Sequence, residues 1–305
     1  MEVWLQTTGE KTAHVNPRPR GHTSFAQDPL RRQNKSILTF AVFGLLLIVP
    51  IRGCAGATRI GQESRPDAAG ELVRLQVGTT WFEFVRIDAG TFWMGSRESE
   101  PGHRPDEEPL RPVAVVRPFL LGRCEVTQAQ WQAVMGENPS WYKGANLPVN
   151  RVSLRDCQEF CERLSRQVHM RMRLPSETEW EYACRAESQT TYCFGESPSE
   201  LERYAWYAGH APRQPSPVQQ KAPNAWGLFD MYGNVWEWCA DPYRPRFGDS
   251  SIDEVSTAPG GGELAVLRGG SWFHGAEFCR SARRFARIPE MRSGYIGLRL
   301  AADIE

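Results

Sequence analysis

Gly227-Leu228-Phe229-Asp230-Met231-Tyr232-Gly233-Asn234-Val235-Trp236-Glu237-Trp238 is the stretch on which the fold turns. Gly233-Asn234 is a turn signal ahead of a strand that buries tryptophan. Asp230 and Glu237 stand at the two ends of the loop. A hard cation such as calcium takes about six to eight oxygens, so a loop with carboxylates at both ends and carbonyls between them suits one. The same residues also read as an ordinary turn whose two carboxylates are satisfied by protein donors. A second glycine-rich turn, Arg268-Gly269-Gly270-Ser271-Trp272, follows downstream.

Outward from these turns, the pattern is one of short elements. Phe82 to Ile87 and Thr91 to Met94 flank Asp88-Ala89-Gly90, which predicts an opening hairpin. Pro112 to Val116 and Phe119 to Glu125 read as extended. Thr127 caps a short helix that Gly136 stops after Met135. Ser153 opens a second helix, on which Leu154, Cys157, Phe160, Cys161 and Leu164 recur at helical spacing and face inward. Ser176-Glu177-Thr178-Glu179 has the spacing of a capping box, which gives this acidic cluster a structural role. From Asp230 onward the chain reads as short strands and long loops.

Composition points to one main domain behind a targeting segment. The chain has 305 residues, with 36 Lys plus Arg against 36 Asp plus Glu, and nothing in that balance favours nucleic acid or an anionic membrane surface. Eleven Trp, 27 Gly and 22 Pro suggest a loop-rich fold in which aromatic rings supply much of the burial. Arg31-Arg32-Gln33-Asn34-Lys35 precedes an apolar run from Ile37 to Ile51, short for a spanning helix and suited to a signal-peptide core. Ile51-Arg52-Gly53-Cys54 resembles a bacterial lipobox, although arginine before the glycine is a poor match. We therefore expect an exported protein, held at the membrane through a lipid anchor if Cys54 is modified. The organisation predicted is residues 1–54 as extension and signal or lipoprotein segment, 55–75 as linker, and 76–305 as the domain.

The ordered blocks of the domain resemble those of the formylglycine-generating, or sulfatase-modifying-factor, family. Besides the two turns, they are Phe92-Trp93-Met94-Gly95, Glu125-Val126-Thr127, Pro148-Val149-Asn150-Arg151-Val152-Ser153, Arg173 through Tyr182 and Gly297-Leu298-Arg299, spread over about 220 residues. The resemblance implies an α+β, loop-rich, C-type-lectin-like fold. It also implies a calcium loop with side-chain ligands Asp230 and Glu237 and carbonyl ligands Met231, Gly233 and Val235. A second calcium site has no clear counterpart in Tyr204 to Pro223. The family's oxidases place two cysteines in the segment that here runs Gly269 to Cys279, and use them to hold copper(I) beside a substrate cysteine. Cys279 matches the second cysteine, whereas His274 stands at the first. Imidazole also binds copper, so a His274/Cys279 site is chemically available, with a harder donor and one less negative charge.

Eight cysteines in an exported chain suggest disulfides. We expect Cys279 to pair with the inward-facing Cys161 and His274 to be a solvated loop residue; Cys184 and Cys239 are another possible pair. His103, His169 and His210 are scattered singly, without zinc-helix spacing. Arg280, Arg283, Arg284, Arg287 and Arg292 make the last loop basic, and the expectation is that they pair with carboxylates. Two functions remain: a non-oxidising module binding a protein, peptide or glycan, which loss of one copper thiolate favours, and an oxidase acting on a sulfatase cysteine.

Overall fold

Hydroxyl side chains start the three longest helices. Thr127 accepts from the Gln130 amide while the Gln130 side chain returns to the Thr127 amide, opening α1 (Gln128–Met135). Ser153 with Asp156 does the same for α2 (Leu154–Val168), and Ser176 with Glu179 for α3 (Glu177–Arg185). Gly136 ends α1 at φ 87°, a left-handed conformation that suits glycine. Helix α2 buries the inward face predicted for it and adds Val168. One further turn, α4 (Leu201–Tyr204), lies downstream.

The computed structural model describes residues 60–63, 71–247 and 263–304, all within the unit spanning 46–305. The largest sheet contains β1 (Ile60–Glu63), β2 (Leu72–Val77), β3 (Thr80–Ile87), β6 (Phe119–Gly122), β14 (Ala301–Asp303) and β7 (Met172–Arg173), in that order and antiparallel throughout. The C-terminal strand thus lies between β6 and β7. β4 (Gly90–Met94) pairs with β5 (Arg111–Val115), and the short β8 (Ala205–Trp206) pairs in parallel with β9 (Tyr232–Gly233). β12 (Phe285–Arg287), β11 (Ala265–Arg268), β10 (Trp236–Pro242) and β13 (Ile296–Gly297) form the remaining sheet, in that order.

Two expectations need correction. The strands flanking Asp88-Ala89-Gly90 do not form a hairpin: β3 pairs with β2 and β6, while β4 pairs with β5 in another sheet. Only Asp88 and Ala89 separate β3 from β4, and partner choice depends on strands far along the chain. The segment read as linker contributes β1 and the start of β2 to the large sheet. The signal segment and Cys54 lie outside the described residues. No described helix is long and apolar enough to cross a membrane.

The first four residues of strand β10, Trp236 to Cys239, are buried on both faces. Trp236 and Trp238 enter the cluster around α2, where Trp131 stacks on Phe160 at 4.9 Å, while Cys239 enters a second cluster with Trp180 of α3. Alternation along the strand sends Glu237 to the side opposite its two tryptophans. Glu237 is fully buried there, so the fold has to satisfy both its oxygens internally.

Candidate functional site

Arg299, itself fully buried, meets the Glu237 carboxylate. Its Nε lies 3.0 and 3.1 Å from the two carboxylate oxygens and Nη2 lies 2.8 Å from Oε1, while Trp180 Nε1 donates to Oε2 at 2.6 Å. Arg299 also donates to the carbonyls of Gly122 and Phe229. Asp230, in a left-handed conformation at φ 56°, accepts from the Gln219 amide at 2.7 Å. Glu125, which sequence reasoning did not place here, accepts from Asn234 Nδ2 at 2.7 Å and from the Val235 amide at 2.9 Å. Three buried carboxylates therefore gather about one guanidinium. Burial pushes Asp230 up to about 6, and burial with the neighbouring Asp230 and Glu237 charges pushes Glu125 well above the usual carboxylate range.

The calcium loop can be tested on this arrangement. Among the described residues no three His, Cys, Asp or Glu side chains converge as a metal cluster, but the expected loop calls for only two carboxylates together with carbonyls. Glu237 is neutralised by Arg299, whereas Asp230 and Glu125 have only amide donors and the charge of that same arginine. Burial holds those two carboxyls toward their protonated forms, and a bound divalent cation would favour the ionised ones. Calcium held by Asp230, Glu237 and the Met231, Gly233 and Val235 carbonyls would have to share Glu237 with Arg299 and Trp180, whose donors already engage both its oxygens. Gly233 is required in any case: at φ 78°, a Cβ there would collide with the Trp206 backbone.

His274 and Cys279 lie on one turn but pack into different surroundings. Gly270, at φ 84°, passes so close to Cys279 that a Cβ would sit 2.8 Å from its sulfur. Cys279 is fully buried in the cluster containing Cys184, Tyr192 and Tyr207, and burial pushes its thiol far up. All seven described cysteines are free, so the expected Cys161–Cys279 and Cys184–Cys239 disulfides are not formed. Cys161 faces inward as predicted, but into the other cluster. His274 is not a solvated loop residue either. Its ring is surrounded by Trp236, Phe278, Phe285, Phe273 and Tyr295 at centroid distances of 5.0 to 5.8 Å. Trp236 Nε1, which can only donate, lies 3.2 Å from His274 Nδ1, and Ser271 Oγ lies 2.7 Å from it. Burial and the nearby Arg287 bring His274 down to about 4, so the ring is neutral at physiological pH and carries its proton on Nε2.

Around His274 the loops expose aromatic rings. Phe273, 5.5 Å from the His274 ring, is 59% exposed, and Trp141, next in sequence to the Tyr142 that meets Trp272, is 69% exposed. Phe273 stacks on Tyr295 at 5.6 Å, Trp272 meets both Phe273 and Tyr142 edge to face, and Arg151 lies over Trp141. The signal for this face was present in the sequence as large aromatic residues in turn-rich segments, without a period to connect them. Of the basic loop, Arg280 pairs with Glu100 and Glu107, Arg284 with Glu177, and Arg292 with Asp156, as expected. Arg283 and Arg287 depart from that expectation. A separate cleft of about 500 Å³, lined by Trp93, Ser96, Arg97, Glu100, Gln189 and Glu196 among others, contains no histidine or cysteine.

The model of the sulfatase-modifying factor enzyme 1-like domain matches residues 71–304. The chain is 32% identical to a formylglycine-generating enzyme of Streptomyces coelicolor over 59% of this chain and 60% of that protein; the match thus spans three fifths of that relative's length. It is 32% identical to the chaperone protein LppX of Paenibacillus barcinonensis over 46% of this chain and 71% of that protein. Among solved structures, Treponema denticola variable protein 1 is similar, with a TM-score of 0.66 and 28% identity, covering 76% of this chain and 98% of that one. With the family match spanning nearly all of the described residues, the chain belongs to the sulfatase-modifying factor enzyme 1-like domain family.

Proposed function

We propose that this domain is a non-oxidising binding module whose aromatic loop face, centred on Trp141, Trp272, Phe273 and Tyr295, holds a protein, peptide or glycan ligand. The observation that carries the proposal is the state of position 274, a neutral imidazole with Nδ1 already accepting from Trp236, together with a Cys279 thiol that is without solvent access and packed in a different cluster. A thiol kept protonated by burial is a poor metal ligand and nucleophile. Similarity to a protein named a chaperone supports a binding role, since members of one fold carry different functions through different sites. Exposed rings over a rigid base supply contact area at low entropic cost. In the same proposal calcium is structural: the Asp230–Glu237 loop would hold it, and when bound it would favour the ionised carboxylates. The binding claim is tested by screening peptide and glycan arrays with the wild-type domain and a Trp141→Ala/Phe273→Ala variant. Ligands lost by the folded variant support the assignment, and an unchanged pattern of hits refutes it.

A further inference from the structure

Among the described residues, two arginines beside His274 lack the carboxylate partners that their neighbours have. Arg283 is 7% exposed, and among the described residues its guanidinium donates no hydrogen bond and forms no ion pair; its Nε is buried and bare. Its guanidinium lies 4.8 Å from the ring centre of Phe278. Arg287 lies 4.0 Å from the ring centre of Phe285, bonds through Nη1 only to the Ala286 carbonyl, and also has a bare buried Nε. Phe278 and Phe285 are rings that flank His274, at 5.0 and 5.8 Å, and meet each other edge to face at 6.3 Å. Both cations thus stand over the rings that enclose one neutral imidazole.

The surrounding acids do not compensate them. Asp106 and Glu107 attract Arg283, and Arg104 and Arg280 repel it. Glu107 is held by Arg280, Asp106 Oδ2 accepts from Tyr243, and Arg104 lies 3.7 Å from Asp106 Oδ1. Glu277 is exposed; it acts on His274 but pairs with neither arginine. An aromatic face attracts a cation but does not replace the hydrogen bonds that a buried guanidinium has lost. A guanidinium fork matches an oxyanion with two parallel bonds, and two uncompensated forks call for two negative charges. A carboxylate brings only one.

We infer that Arg283 and Arg287, beside His274, form a recognition point for a doubly charged tetrahedral oxyanion, a phosphate or sulfate group, carried by the ligand of the loop face. This deepens the binding-module reading and rests on it for the identity of that face. The test uses inorganic ions alone, so its failure leaves the aromatic-face experiment standing as a separate result. The domain is titrated calorimetrically with sulfate, with phosphate at pH 6 and pH 8, and with acetate, at constant ionic strength in chloride. Sulfate binds, phosphate binds more tightly at pH 8 where it is the dianion, and acetate binds at least about tenfold more weakly. Arg283→Gln and Arg287→Gln each weaken sulfate about tenfold or more, while Arg166→Gln, in an exposed pair on α2, does not. Arg287 is the less buried of the two, so Arg287→Gln keeps the test open if Arg283→Gln fails to fold. Equal sulfate affinity in the wild type and a folded Arg283→Gln or Arg287→Gln variant, or acetate equal to sulfate, overturns the assignment.

Discussion

Replacing Arg299 by methionine probes the most heavily committed buried charge in the domain. The substitution leaves Glu237 with the Trp180 indole as its remaining side-chain donor, and removes a donor from each of the Gly122 and Phe229 carbonyls. Breaking a buried ion pair from one side costs about 3–5 kcal/mol, and each deprived carbonyl adds about 1 kcal/mol, for a loss of about 5–7 kcal/mol. Native domains have stabilities of about 5–15 kcal/mol, so the variant should be close to unfolding at ambient temperature. For a domain of this size the loss corresponds to a fall in Tm of roughly 10–25 °C. Urea unfolding followed by tryptophan fluorescence measures it, with Arg299→Met/Glu237→Gln closing the cycle. The double variant should be more stable than the sum of single effects by about 2–3 kcal/mol, because the stranded carboxylate is gone. A loss below about 1 kcal/mol for Arg299→Met, the range of an exposed pair, would falsify the buried-knot account.

Two further outcomes follow from the same carboxylates. Asp230 is held at about 6 in the folded chain against its ordinary 3.8, so over that window the folded state retains a proton that the unfolded chain has lost. Its contribution therefore lowers stability as pH rises from about 4 to about 6 and is level above that; subtracting the profile of Asp230→Asn from the wild-type profile in chelator should isolate this slope, and a flat difference counts against the burial argument. Calcium bound only by the native loop stabilises by mass action, so a chelator should lower Tm and Asp230→Ala should abolish most of that sensitivity; equal melting with and without chelator removes the calcium proposal.

Local chemistry was the most legible part of the sequence. Thr127, Ser153 and Ser176 each signal a helix start through a residue three positions on, and each cap is present. The two strands on either side of Asp88-Ala89 were equally visible, yet they belong to different sheets because their partners are β2 and β6 for one and β5 for the other. His274 looked solvated because Trp236, Phe285 and Tyr295, which enclose it, are scattered along the chain. The same limitation hid Glu125 from the Asp230–Glu237 loop and made Arg283 and Arg287 indistinguishable from their paired neighbours. Inward-facing cysteines could be read from helical spacing, but which of the two core clusters each one enters could not.

The central claim is that position 274 and a sealed Cys279 leave this domain without oxidase chemistry. Copper-loaded protein incubated in air with a cysteine-containing sulfatase peptide, followed by mass spectrometry of the peptide, tests it most directly. We predict that the peptide is recovered without aldehyde, at the level of a protein-free control containing the same copper. Conversion of its cysteine to formylglycine above that control, lost in Cys279→Ser, would contradict the account.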